Sequence, residues 1–441
     1  MKFEDDQLDF INYVTSKKND RKGEIVLNAS AGTGKTTVAK YLNNLNDKII
    51  FLAPTHKAAA VLRKGKNAIE VETIHKFLNA KANYTELGDL YFEFRPSFKR
   101  GYIIFIDECS MVNNKMMEAF HDLSNHNLII YMGDDLQLPP IVKEELDDDE
   151  KPIKKESIIS KTFSIKPRFE FKKNQRSKKF TSTVMLQLAR DSCYSKRMPP
   201  KIAETNLSDI LDCFKDLQQS DETVIILSYT NASVNNYNKK IRSHLFNVDE
   251  DKLEPYYINE KLVFGSSIRR TETKKYFSSE MITIVNLSIK TLTMSFDDFQ
   301  CKCKDEDYNK VKCKEHGFRK GKIDLEFYEI IDEFDNIWYK PLNQTKFSMF
   351  SWQYKRYCII NKNNTRLWPS YYAYMVQYNA DLKYEYAQTI HKSQGSQYNI
   401  VFVDRSNLVG CTTRDNTLRL NGYYTAISRM IDEVYDIEHK Y

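Results

Sequence analysis

Glu24-Ile25-Val26-Leu27-Asn28-Ala29-Ser30-Ala31-Gly32-Thr33-Gly34-Lys35-Thr36 is the stretch that decides how this chain is read. Glu24 to Asn28 is an apolar run of strand length. A glycine-containing turn follows, and a helical pattern opens at about Lys35. The same rhythm continues beyond it. Lys48 to Ala53 reads as a second strand ending at Pro54, and Gly101 to Ile106 and Leu128 to Met132 are further short apolar runs. Strands separated by helical stretches make βαβ units and a parallel sheet, so the fold class is α/β.

The turn itself has a chemistry. Gly32 and Gly34 let backbone N–H groups converge on an anion at a helix N-terminus. Lys35 adds a point charge for the β- and γ-phosphates of a nucleotide, and the Thr36 hydroxyl suits Mg²⁺. Ala31, Gly32, Thr33, Gly34, Lys35, Thr36 and Thr37 are therefore the expected nucleotide-binding residues. The strict pattern opens on glycine where this chain has Ala29, but the Gly-Lys-Thr core is intact. Asp107-Glu108 directly follows the apolar run Tyr102 to Ile106. Alone, such a pair is an ordinary solvated loop. After a strand, and downstream of a phosphate loop, Asp107 suits the metal and Glu108 suits a general base acting on water.

Farther along, Asn83 to Phe94 has two β-prone arms around Leu87-Gly88-Asp89 and reads as an inserted hairpin. Glu144 to Lys155 is a charged, solvated loop. A second α/β pattern starts near Glu222, with a strand at Thr223 to Leu227 and a helix at Asn231 to Phe246. From about Ile268 to Tyr384 the pattern turns irregular, β-prone and Tyr-rich. The α/β texture then returns, with a strand at Asn399 to Val403 and a helix at Asn416 to Arg429.

Composition narrows the class. Hydrophobic residues at 41% and charged residues at 29% fit a globular protein, and no apolar run approaches the roughly 18 residues of a membrane helix. The acidic start Met1-Lys2-Phe3-Glu4-Asp5-Asp6 lacks a signal-peptide core, and eight cysteines form no disulfide framework, so an intracellular setting is expected. A net charge of +6 permits a polyanion partner without requiring one. Local basic pairs stand at Arg269-Arg270 and Lys274-Lys275. Cys301, Cys303, Cys313 and His316 supply four possible metal ligands in an uncommon spacing, and incidental thiols in a loop are the simpler reading.

Ordered along nearly the whole chain, these residues resemble superfamily 1 helicases of the RecD-like class, the Dda type of phage DNA helicase in particular. Ala29 to Thr36 is similar to the Walker A loop and Asp107-Glu108-Cys109-Ser110-Met111 to Walker B. Gly133-Asp134-Asp135-Leu136-Gln137-Leu138-Pro139-Pro140 resembles the coupling motif, whose glutamine reaches the γ-phosphate. Gln7 resembles the adenine-reading glutamine. Ala53 to Ala59, Thr73-Ile74-His75, Tyr229-Thr230-Asn231 and Gln388 to Gly395 resemble the remaining ordered motifs, and Gln175-Arg176-Ser177 and Tyr424 to Arg429 the segments that carry arginine fingers. Singly, each has a bland reading: a plain strand-to-helix turn, a core histidine, a surface arginine. Their order along one chain argues against coincidence.

The resemblance implies two RecA-like parallel-sheet motor domains. The first spans residues 1–172 with a strand-separating pin at about 80–100; the second spans 173–267 and 386–441. An SH3-like, β-rich accessory insert occupies 268–385. It implies catalytic roles for Lys35, Glu108, Gln137, Arg176 and Arg429, nucleotide contacts from Gln7, Gln394 and Gly395, and Mg²⁺ at Thr36 and Asp107. DNA contacts fall on Pro54, Thr55, His56, Lys57, Thr73, His75, Thr230, Asn231, Thr389 and His391, with Phe92 or Tyr91 at the duplex junction. Trp352 and Trp368 line a DNA exit path or, as the better single reading of each, fill a β-domain core. The short interval from Lys35 to Asp107 leaves room only for the hairpin, where helicases of opposite polarity carry a large domain. The resemblance therefore implies ATP-driven 5′→3′ movement on single-stranded DNA, with forked or tailed duplexes as substrates, replication or recombination proteins as further partners, no membrane partner, and activity as a monomer. An ATP-switched binding protein without unwinding activity and an RNA helicase are the alternatives. A small-molecule P-loop kinase is disfavoured by the motifs after residue 200.

Overall fold

The computed structural model describes residues 3–45, 48–63, 69–84, 90–96, 99–138, 160–173, 180–201, 203–218, 220–265, 268–269, 275–276, 280–295, 322–360, 367–412 and 415–438. Outside them lie Gln175-Arg176-Ser177, Pro139-Pro140, the charged block Glu144 to Lys155, the hairpin tip Leu87-Gly88-Asp89, Arg270, Lys274 and the Cys301, Cys303, Cys313 and His316 group.

A six-stranded sheet is built in the order Val71–Thr73, Ile49–Ala53, Ile103–Ile106, Leu128–Gly133, Gly23–Ala29, Arg168–Phe171. Every pairing in it is parallel. The three strands Ile49–Ala53, Ile103–Ile106 and Leu128–Gly133 are buried at every residue, as continuous apolar runs are when helices cover both faces. Period-two alternation sorts their side chains. Phe51, Phe105 and Ile130 join one core with the helix residues Phe10 and Leu42, while Ile50, Ile104 and Ile129 join the opposite core with Phe77 and Phe120.

A second, five-stranded parallel sheet has the order Ala387–Thr389, Val224–Ser228, Tyr398–Val403, Met430–Ile437, Glu204–Thr205. Ile225, Leu227, Val401 and Val403 pack there against the helices Phe180–Ser195 and Asn416–Ile427. The latter helix ends two residues short of the sequence expectation, because Ser428 and Arg429 turn into the last strand. The parallel α/β architecture expected from the sequence is present in both sheets.

By contact density, residues 1–80, 94–253 and 386–441 form one compact unit holding both parallel sheets, and residues 81–93 and 254–385 form another. The second unit contains the antiparallel pair Lys81–Tyr84 and Leu90–Glu93. It also contains an antiparallel sheet in the order Ile337–Pro341, Lys322–Asp332, Met281–Ser295, Lys261–Phe264, Leu382–Tyr384. The β-prone reading of 268–384 is incomplete: it misses the helices Gln344–Ile360 and Leu367–Tyr378. Their Phe347, Phe350, Tyr354, Trp368 and Tyr371 fill a core against Phe327 of the sheet. Aromatic side chains suit strands and helix faces alike when they are buried, so composition alone misassigned these elements. Trp368 is core in this way, whereas Trp352 is exposed, with the Arg356 guanidinium 5.3 Å from its ring centroid.

Candidate nucleotide site and nucleic-acid interface

The strand Gly23–Ala29 delivers the chain into the turn, and the helix Lys35–Leu45 leaves it. Gly32 (φ 78°) and Gly34 (φ 86°) adopt the left-handed backbone that closes the loop, a conformation that costs glycine nothing. The Lys35 ammonium donates to the carbonyls of Ala29 (2.6 Å) and Ser30 (3.2 Å), so it sits folded over the loop it would share with a phosphate. The Thr33 hydroxyl donates to the Ser30 carbonyl at 2.8 Å. Thr36 is half-buried at the helix start and Thr37 is exposed. Gln7 is buried, and its amide bridges two segments: Nε2 donates to the Thr33 carbonyl at 3.0 Å, while Oε1 accepts from the Glu4 N–H at 3.1 Å.

Asp107 and Glu108 leave the C-terminal end of Ile103–Ile106, two strands from the loop. The Asp107 carboxylate accepts from the Glu108 N–H at 3.0 Å. Glu108 is left-handed (φ 49°, ψ 46°), which costs a non-glycine residue about 1–2 kcal/mol. Behind it, Cys109 is fully buried, and a Cβ on Gly133 would lie 2.6 Å from its Sγ. Only glycine lets the two strand ends approach this closely.

The coupling segment follows at the end of Leu128–Gly133. Asn28, at the end of the adjacent strand, accepts from the Asp135 N–H at 3.1 Å, and Arg168 donates to the Asp135 carboxylate at 2.9 Å. Asp134 is fully buried. Burial pushes its carboxyl above the ordinary range, against the pull of Lys35, the Tyr424 hydroxyl and Arg190. Gln137 is also buried, and its Oε1 has no hydrogen-bond partner among the described residues.

Residues of the second sheet meet this edge. Arg429 is 3% exposed, and its Nη1 stands 4.0 Å from Glu108 Oε1. Its other nitrogens donate to the Thr425 carbonyl (3.1 Å) and the Ser428 hydroxyl (2.7 Å), which hold the guanidinium in place. Gln394, expected at the nucleotide, donates to the Leu138 carbonyl at 2.6 Å. Gly395 is left-handed (φ 73°), and a Cβ there would lie 3.3 Å from the Ala58 Cβ and 3.8 Å from the Thr55 hydroxyl. The turn around Gly395 therefore packs against the turn that begins the helix His56–Arg63.

The expected DNA contacts occupy strand-to-helix turns of both sheets. Pro54 precedes Thr55, whose hydroxyl caps the helix carrying His56 and Lys57 by accepting from the Ala58 N–H at 3.1 Å. Thr73 caps the short helix that contains His75. Thr230 caps Asn231–Phe246 and leaves Asn231 exposed. Thr389 is buried, and His391 lies 5.5 Å from the Tyr229 ring. Burial holds the imidazoles of His75 and His391 below the ordinary histidine range. Phe92 and Tyr91 are exposed on the two-stranded hairpin.

Three contributors escaped the sequence reading. Asn407 accepts from the N–H groups of Tyr229 (3.1 Å) and Thr230 (3.0 Å), shaping that turn. Asp404 accepts from Ser228 and Ser233 around the same turn. Its signal was the one that revealed Asp107, a carboxylate directly after an apolar strand. Arg190 falls on the buried stripe of Leu186, Ala189 and Cys193, where a charge calls for a reason, and its Nη1 has no hydrogen-bond partner among the described residues.

Two family models match the chain, an AAA domain over residues 2–149 and a UvrD-like helicase C-terminal domain over residues 384–435. An uncharacterized protein of Acanthamoeba polyphaga mimivirus is 26% identical, with 96% of this chain and 95% of the relative covered. The ATP-dependent DNA helicase dda of Enterobacteria phage T4 is 25% identical over 60% of this chain and 61% of its own length. Among solved structures, Pif1 helicase from Bacteroides in complex with ADP-AlF3 and single-stranded DNA has a TM-score of 0.48 at 15% identity, covering 99% of this chain and 92% of that one.

Proposed function

We propose that this chain, a superfamily 1 helicase of the Dda and Pif1 kind, is an ATP-dependent DNA helicase that moves 5′→3′ along single-stranded DNA and unwinds the duplex ahead. The observation that carries the reading is the approach of Arg429, from the end of one parallel sheet, to Glu108 at the end of the other. A site that needs groups from two sheets hydrolyses nucleotide only when both are in place, and that requirement ties chemistry to movement.

The loop N–H groups of residues 31–36 and the Lys35 ammonium would hold the phosphates. Glu108 would accept a proton from water, Gln137 would sense the γ-phosphate, and Arg429 would neutralise charge on the transferring group. Arg176 is proposed as a second finger. The Thr36 hydroxyl and Asp107 carboxylate are hard oxygen donors of the type Mg²⁺ takes, and the ion would supply positive charge to the phosphates when bound. Gln7 and Gly395 are assigned to the nucleotide pocket on the resemblance.

On the nucleic-acid side, Thr55, His56, Thr73 and His75 form one set of contacts and Thr230, Asn231, Thr389 and His391 another. Capped helix starts favour phosphates, so binding is sequence-independent and weakens with salt. The hairpin, with exposed Tyr91 and Phe92, is proposed as the strand-separating pin. Residues 1–172 and 173–267 with 386–441 are proposed as the two motor domains, and 268–385 as an SH3-like insert, in an intracellular monomer.

Duplexes bearing only a 5′ or only a 3′ single-stranded tail test the proposal. ATP-dependent unwinding from the 5′ tail is the expected result, and efficient unwinding from the 3′ tail overturns the direction. Hydrolysis that single-stranded DNA does not stimulate overturns the motor itself.

A further inference from the structure

The coupling segment leaves the first sheet, yet its side chains end in the second sheet's core. Leu138 is completely buried among Ile390, Leu420, Tyr423 and Ile427, and Leu136 packs on the same cluster. Polar contacts grip the segment at both ends. The Tyr424 hydroxyl donates to Asp134 Oδ2 at 2.5 Å. The Thr425 hydroxyl accepts from the Leu138 N–H at 2.9 Å, and Gln394 donates to the Leu138 carbonyl. Tyr424 and Asp134 are 0% and 1% exposed, so water cannot replace their bond. The charges of Lys35 and Arg190 act on Asp134. Between the gripped ends sits Gln137, whose Oε1 is buried without a partner among the described residues.

We infer that Tyr424 is a positioning residue: through Asp134 it fixes where Gln137 presents its amide, so the glutamine's reach toward the γ-phosphate is set by the second sheet. The inference rests on the helicase reading above. A segment held by buried bonds at both ends follows its anchors, and a shift of about 1 Å at a catalytic group costs on the order of a hundredfold in rate. Tyr424 therefore acts on turnover through Gln137, without touching substrate.

The test is a double-mutant cycle on the full chain, with Tyr424→Phe, Gln137→Ala and both together, read as kcat and KM for ATP with single-stranded DNA present. Tyr424→Phe is expected to lower kcat about tenfold with KM changed by less than about threefold. In the Gln137→Ala background the same change is expected to add less than about twofold, because the two act as one. Multiplicative losses, or an unchanged kcat in Tyr424→Phe, overturn the positioning role. If Tyr424→Phe does not fold, Thr425→Val, which removes the hydroxyl that holds Leu138, goes through the same cycle, with the same results supporting or overturning the role. Wild-type protein is measured first: hydrolysis indifferent to DNA overturns the helicase reading, and this inference with it, before any variant is compared.

Discussion

Arg429 holds its guanidinium 4.0 Å from the Glu108 carboxylate, although one follows the helix Asn416–Ile427 and the other lies two residues past a strand of the first sheet. The Arg429 guanidinium is buried there, and as the proposed finger it would meet the charge that develops on a transferring phosphoryl group. Arg429→Ala is expected to lower DNA-stimulated kcat by about a thousandfold. Binding of a fluorescent ATP analogue should weaken far less, since a finger acts mainly on the transition state. A loss in kcat of under tenfold would remove Arg429 from the site. Arg429→Lys keeps the charge but loses the bonds to Thr425 and Ser428, so it should recover little of that loss.

Lys35 donates to Ala29 and Ser30, two carbonyls of its own loop. A phosphate entering the loop would take those donations over. Lys35→Ala is expected to cut hydrolysis by about a hundredfold or more and to abolish unwinding. Filter binding should still detect single-stranded DNA, because Thr55, Thr230 and the other proposed contacts lie on other turns. Unwinding by the alanine variant would refute the assigned site.

How much of this was legible follows the physics of each signal. The first sheet was, because Ile49–Ala53, Ile103–Ile106 and Leu128–Gly133 are buried on both faces and read as unbroken apolar runs. The phosphate loop was, because glycines beside a lysine have few other uses after a strand. The helix Gln344–Ile360 was hidden by its aromatics, although Phe347, Phe350, Tyr354 and Cys358 recur at helical spacing and are buried together. Asn407 was invisible for another reason: an asparagine that braces a turn about 180 residues earlier has no local pattern. Gln394 illustrates a third limit, since nothing in its motif shows that it also donates to the Leu138 carbonyl.

Gly395 and Gly410 make a matched pair. Alanine at Gly395 meets both a left-handed backbone and the Ala58 Cβ at 3.3 Å, whereas alanine at Gly410 meets nothing within 4 Å and lies in the helix Arg405–Cys411. Gly395→Ala is expected to cost about 1–2 kcal/mol, and Gly410→Ala to gain up to about 1 kcal/mol. Urea midpoints at unchanged m-values measure both. Equal shifts for the two variants would show that neither backbone nor contact governs Gly395.

His391 gives stability a dependence on pH whose sign is fixed. Burial lowers its folded-state pKa below the unfolded value of about 6.5. The neutral imidazole then contributes stability above that unfolded value, and the contribution is lost as pH falls through the folded one, because the unfolded chain binds the proton more readily. The His391→Gln variant cannot take up that proton. Between pH 7.5 and pH 5, with DNA absent, the wild-type Tm should therefore fall farther than that of His391→Gln, and the gap between them should close or reverse at the acid end. Other carboxylates and histidines titrate in both proteins and cancel in the difference. Parallel curves would mean that His391 is solvated in the folded protein and that the packing against Tyr229 does not shield it.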